Sequence, residues 1–143
     1  LIIVDANLLI YAHIDTYQEH KAARTWLNDQ INGAAPVGLP WLNLLAFLRV
    51  STNRRIHANP ATMEEACTQM REWLALEAVW IPQPGARHAD LLSELLRGAR
   101  VTRDLTSDAH IAALAIEHGL TICSADTDFA RFPSVRWMNP LAA

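Results

Sequence analysis

Four short apolar runs, Leu1–Val4, Val37–Leu39, Val79–Ile81 and Leu120–Cys123, are separated by longer stretches whose apolar residues recur at helical spacing. Runs this short and this uniformly apolar read as strands buried on both faces, and strands alternating with helices imply a mostly parallel sheet. The expected fold class is therefore α/β, with helices covering both sides of the sheet. Between the runs, Thr16–Glu19 has capping-box spacing and predicts a helix from about Tyr17 to Ile31, stopped at Gly33. Pro40 opens a helix over Trp41 to Thr52, and Thr62–Glu65 opens another whose Ala66, Met70, Trp73 and Leu74 share a face. Leu91, Leu92, Leu95 and Leu96 place a further helix over His88 to Arg97, followed by a loop from Gly98 to Leu105. Thr106 is expected to cap a helix from Ser107 to His118 with Gly119 as its stop. A short helical turn over Thr127 to Phe132 and an edge strand over Val135 to Trp137 complete the reading. Trp26, Trp41 and Trp73 are candidates for core or contact surface, with core preferred since tryptophan in an amphipathic stripe usually faces inward.

With 143 residues, 51% of them hydrophobic, the chain is expected to form one domain over residues 1–143 that stands without disulfides. Cys67 and Cys123 have no metal-ligand spacing and read as reduced thiols. No apolar stretch approaches the roughly 20 residues that span a bilayer, and no basic segment precedes a cleavable apolar core. A cytoplasmic protein with no membrane partner is the expectation. The net charge of −3 argues against coating nucleic acid by bulk electrostatics. Lys21 is the only lysine, and the arginines cluster as Arg49, Arg54 and Arg55, then Arg97, Arg100 and Arg103. The planar guanidinium suits phosphate, so Arg49, Arg54 and Arg55 are candidates for an RNA-facing lane, the alternative being solvated loop charges that pair with their neighbours.

The acids carry the chemistry. Asp5 ends the first apolar run, Asp108 falls in the first turn of the last long helix, and Asp126 and Asp128 follow the fourth run. Each alone has an ordinary reading as a helix cap or a first-turn anion. Together they lie on one edge of a parallel sheet, because strand ends and helix starts share that edge. Carboxylates gathered there repel unless a cation or protons intervene, and hard oxygen donors suit Mg²⁺ or Mn²⁺. The six histidines show no recurring ligand spacing with cysteine, and neither a serine triad nor a glycine-rich phosphate loop is visible. A phosphohydrolase with a strand-end Asp nucleophile usually needs a second Asp two positions on, where this chain has Asn7.

The segments IVDANLLIYA, TSDAHIAALAIEHG and CSADTDFARF, in that order, resemble the signature blocks of PIN-domain ribonucleases, specifically the VapC-type toxins of bacterial toxin–antitoxin pairs. The resemblance implies a three-layer α/β/α sandwich with a mostly parallel central sheet, and metal-dependent endonucleolytic cleavage of RNA. It makes Asp5, Asp108 and Asp126 metal ligands, Asp128 an outer catalytic acid, and Asn7 a residue that orients Asp5. It further implies a VapB-like antitoxin as partner, RNA as substrate and a homodimer. The chain departs from the pattern at Ala46, where many relatives carry Glu in the helix after the second strand. Asn43 and Asp104 are the nearest compensating candidates. That departure keeps a second reading open, a degenerate PIN-like module that binds RNA or protein without cutting.

Overall fold

Along β1 (Ile2–Val4) successive side chains enter two different cores, Ile3 one and Val4 the other, and neither retains exposed surface. The same alternation holds on β4 (Thr121–Cys123), where Ile122 joins the core of Ile3 and Cys123 that of Val4. Period-two side chains with apolar partners on both faces are why the buried positions of these runs are apolar, the partly exposed Thr121 at the start of β4 being the polar one. The computed structural model describes residues 1–98 and 105–142. Within them, β2 (Val37–Gly38), β3 (Val79–Trp80) and β5 (Trp137–Met138) complete a sheet of order β3-β2-β1-β4-β5 in which every pairing is parallel.

Helices α1 (Ala6–His13), α2 (His20–Ile31), α3 (Trp41–Ser51) and α4 (Met63–Leu74) build the core around Leu8, Leu27, Phe47 and Trp73. The opposite core gathers Leu95 of α5 (His88–Gly98), Ala109, Ala112 and Leu114 of α6 (Thr106–His118), and Phe129 and Phe132. The result is the three-layer α/β/α sandwich. Gly38 is demanded by packing, since a Cβ there would stand 2.8 Å from Pro82 Cγ. Gly119 ends α6 with φ of 68°, a left-handed stop that suits glycine.

Several boundaries differ from the sequence-based expectation. The spacing at Thr16–Glu19 does not start α2; Glu19 stands in the cap position without a side-chain bond, and the helix begins at His20. Tyr17 instead packs its ring against Tyr11 and His57, at 4.9 and 5.4 Å, and His20 Nδ1 bonds Tyr11 O at 2.8 Å. Tertiary contacts therefore hold this segment in a turn. Thr62 does form the reciprocal capping box with Glu65, and the backbone bond at Thr62 pulls that carboxyl below its usual range. Thr106 lies inside α6, while the cap position goes to Leu105, whose side chain is buried. Burial of a leucine displaces a capping hydroxyl there. The edge strand lies at Trp137–Met138 instead of Val135–Trp137, with Trp137 Nε1 donating to Ser124 O at 3.1 Å. Trp41 is not core: it is 42% exposed, whereas Trp73 is buried. Arg100, Arg103, Asp104 and the loop assigned around them lie outside the described residues.

Candidate metal centre

The strand order reverses direction at β1, with β2 on one side and β4 on the other, and this opens a crevice beyond the strands' carboxyl ends. Asp5 enters it directly from β1. Its backbone N–H donates to Cys123 O at 3.0 Å, extending the ladder by one rung, and it caps α1 through Oδ1, which accepts from Ala6 N at 2.9 Å. The other oxygen, Oδ2, accepts from Ser124 Oγ at 2.7 Å and from Asn7 Nδ2 at 3.3 Å. Asn7 thus stands where it can orient Asp5.

Ser124 is the residue the motif reading passed over. The register Val4↔Cys123 puts it opposite Asp5, and it is completely buried. Its hydroxyl donates to Asp5 and accepts from Asn7 Nδ2 at 3.0 Å and from Asp126 N at 2.9 Å. One oxygen therefore links the first acid to the last acidic loop. The signal was a hydroxyl directly after an apolar strand, in the segment CSADTDF.

Asp108 projects from the first turn of α6, and Asp126 caps the 3₁₀ turn Thr127–Arg131 by accepting from Asp128 N at 2.9 Å. Among the described residues, Asp108, Asp126 and Asp128 offer carboxylate oxygens that all lie within 4.8 Å of one another. Asp5 stands beside this trio; with Ala46, Arg49 and Asp108 it lines a cleft of about 190 Å³. Asp128 contributes an oxygen to this cluster, while its partly exposed carboxylate also lies 3.7 Å from Arg131 Nε.

The electrostatics follow from this crowding. Burial, then the charges of Asp5, Asp126 and Asp128, push the Asp108 carboxyl up to about 7. Burial also raises Asp5, against the opposing pull of the Ser124 and Ala6 bonds, with Asp126 adding repulsion. Asp108, Asp126 and Asp128, with Asp5 beside them, supply hard oxygen donors suited to a small divalent cation. Ala46 lies on the cleft wall and supplies no oxygen donor there. Asn43 lines the same cleft, yet its Nδ2 is committed to Val4 O at 2.9 Å. Arg49 also lines it, whereas Arg54 and Arg55 are exposed on the turn after α3 and are not among its lining residues. His110, two residues past Asp108, turns away to meet His88, Nδ1 to Nε2 at 2.9 Å.

Residues 2–135 match the PIN domain family model. The chain is 44% identical to Ribonuclease VapC37 of Mycobacterium tuberculosis over 140 residues, covering 98% of this chain and 97% of that one. The fold superposes on VapBC2 from Rickettsia felis, solved bound to a DNA fragment from their promoter, with TM-score 0.67 and 17% identity over 96% of this chain and 97% of that one. It also matches Mycobacterium tuberculosis VapC20, a Sarcin-Ricin loop cleaving toxin, with TM-score 0.65 and 18% identity over 95% of this chain and 99% of that one.

Proposed function

The chain belongs to the PIN-domain family, and from that premise we propose that it is a cytoplasmic, metal-dependent endoribonuclease, the toxin of a toxin–antitoxin pair. The observation that carries this reading is the convergence of Asp108, Asp126 and Asp128 within 4.8 Å beside Asp5. Asp5, Asp108 and Asp126 would hold Mg²⁺ or Mn²⁺, with Asp128 close enough to share the load. Bound there, the ion supplies a water of lowered pKa and neutralises charge on the attacked phosphate. The protein's own part is positional. Ser124 and Asn7 fix the rotamer of Asp5, Asp126 is tied to Asp128 N, and Arg49 presents a guanidinium to the substrate's phosphates from the cleft wall. The 44% identity to Ribonuclease VapC37 supports this reading. A VapB-like antitoxin is the cognate partner, and the toxin assembles as a homodimer. Among the described residues no helix is long and apolar enough to cross a membrane.

Ala46 favours a second reading, a module that binds RNA without cutting, because one wall of the cleft lacks an acid. Incubation of the purified protein with total RNA and Mn²⁺, with and without chelator, separates the two. Cleavage that stops on chelation and in Asp5→Asn is the expected result. RNA retained but intact across a metal series would establish the binding module.

A further inference from the structure

The turn that brings Asp128 to the acidic cluster also carries a cation. Arg131 ends the 3₁₀ turn Thr127–Arg131, and its Nε lies 3.7 Å from Asp128 Oδ1. Its backbone is anchored on both sides: Phe129 and Phe132 are buried, Phe132 N donates to Phe129 O at 3.1 Å, and Asp126 caps the turn through Asp128 N. The side chain itself is 59% exposed. At 3.7 Å the contact with Asp128 is an ion pair without a hydrogen bond, and among the described residues the guanidinium donates none elsewhere, so its planar fork of N–H donors remains open. An exposed pair of this kind is weak and screened by salt, whereas a phosphate that accepts two parallel N–H bonds is a stronger partner.

Position along the sheet gives the open fork a direction. Helix α3, which bears Arg49, follows β2, and the 3₁₀ turn follows β4; these two strands flank β1, whose end carries Asp5. Arg49 lines the cleft with Asp5 and Asp108, and Arg131 stands beside Asp128. The acids thus have one guanidinium on each side.

We propose that Arg131 is a second phosphate clamp, which holds the RNA backbone on the β4 side of the acids while Arg49 holds it on the β2 side. Asp128 keeps the guanidinium in place until the strand arrives. The proposal rests on the RNA-binding reading of the cleft. A clamp and a structural ion pair differ in what their loss does. Loss of a clamp lowers the number of counterions released by RNA and relieves repulsion of a cation bound at the acids; loss of a structural pair loosens Asp128 and leaves the counterion count alone.

The test follows a fluorescein-labelled oligouridylate by anisotropy over a salt series at constant Ca²⁺, with strand length checked by gel. Arg131→Ala should weaken binding about tenfold at low salt and flatten the slope of log affinity against log salt by about 0.7, the value for one contact to a single strand. Its Ca²⁺ affinity without RNA, read by calorimetry, should equal or exceed that of wild type. Arg131→Lys should keep the slope and recover only part of the affinity, because an ammonium cannot make the two parallel bonds. A slope equal to wild type in Arg131→Ala overturns the clamp: with Ca²⁺ affinity and melting temperature lowered it leaves a structural ion pair, and with an altered oligomeric state by light scattering it leaves a protein contact. Cleavage of mixed RNA by wild type with Mn²⁺ reports separately on the ribonuclease reading. Cutting with an unchanged slope sinks the clamp alone, and a flattened slope without cutting sinks only the nuclease.

Discussion

Asp5 and Asp108 line one cleft, yet they are held in opposite ways. Asp5 is surrounded by donors: Ala6 N, Ser124 Oγ and Asn7 Nδ2 all point at its two oxygens. Asp108 is surrounded by acids, with Asp126 and Asp128 within 4.8 Å and Asp5 exerting the strongest repulsion of the three. Donors fix Asp5 in place and oppose, without overcoming, the upward push of burial; neighbouring acids leave Asp108 dependent on a proton or a cation. The strand-end half of the centre is thus built in advance by the sheet. The helix and loop half carries an electrostatic debt that a divalent ion would cancel.

The largest effect is expected at the crowded half. Asp108→Asn should reduce cleavage by more than the ~10–100-fold typical of losing an outer partner. It should also raise the melting temperature of the metal-free protein above pH 7 by roughly 2–4 °C, the shift expected of about 1 kcal/mol after discounting for solvent screening. The sign follows from the raised carboxyl. Between its ordinary 3.8 and about 7, the folded protein holds a proton on Asp108 that the unfolded chain has released. Metal-free wild type should therefore lose stability as pH rises through that window, and Asp108→Asn should lose less. Thermal melts across the window check this; parallel wild-type and variant curves would mean that Asp108 is not crowded.

Next comes the braced half. Ser124→Ala removes one donor from Asp5 and the acceptor used by Asn7 and Asp126, leaving buried polar groups without their partner. A loss of about 1–3 kcal/mol in stability and ~10–100-fold in Mn²⁺ affinity is expected, measured by denaturant melts and calorimetric titration. Unchanged metal affinity would show that the hydroxyl is structural only, and would erase the distinction between the halves.

The smallest effect is a gain. Ala46→Glu adds an oxygen donor to the half-buried wall of the cleft. A few-fold increase in cleavage at limiting Mg²⁺ is expected, with a tighter Mg²⁺ titration. A variant that melts early with no change in metal affinity would identify Ala46 as a packing position.

Much of this was legible in order and not in place. The apolar runs ended where the strands end to within a residue for β1 and β4, because their fully buried positions, Ile3, Val4, Ile122 and Cys123, are apolar. Thr62 with Glu65 marked its helix start correctly because both partners are local, while the identical spacing at Thr16–Glu19 failed once Tyr17 packed against Tyr11 and His57. Local chemistry reads from sequence; competition with a distant contact does not.

The sequence by itself determined that acids stand at strand ends and helix starts, and hence that they share one edge of a parallel sheet. It determined the family, since the three blocks with their intervening strands and helices match over residues 2–135. Only the tertiary structure decided which acids meet. The β1–β4 register sets Ser124 against Asp5, and the 3₁₀ turn carries Asp128 into the cluster beside Asp108 and Asp126. It also decided that Trp41 faces solvent, although its helix reads as apolar on nearly every side. Such outcomes depend on angles and registers between elements far apart in the chain, and those are set by packing the whole molecule at once.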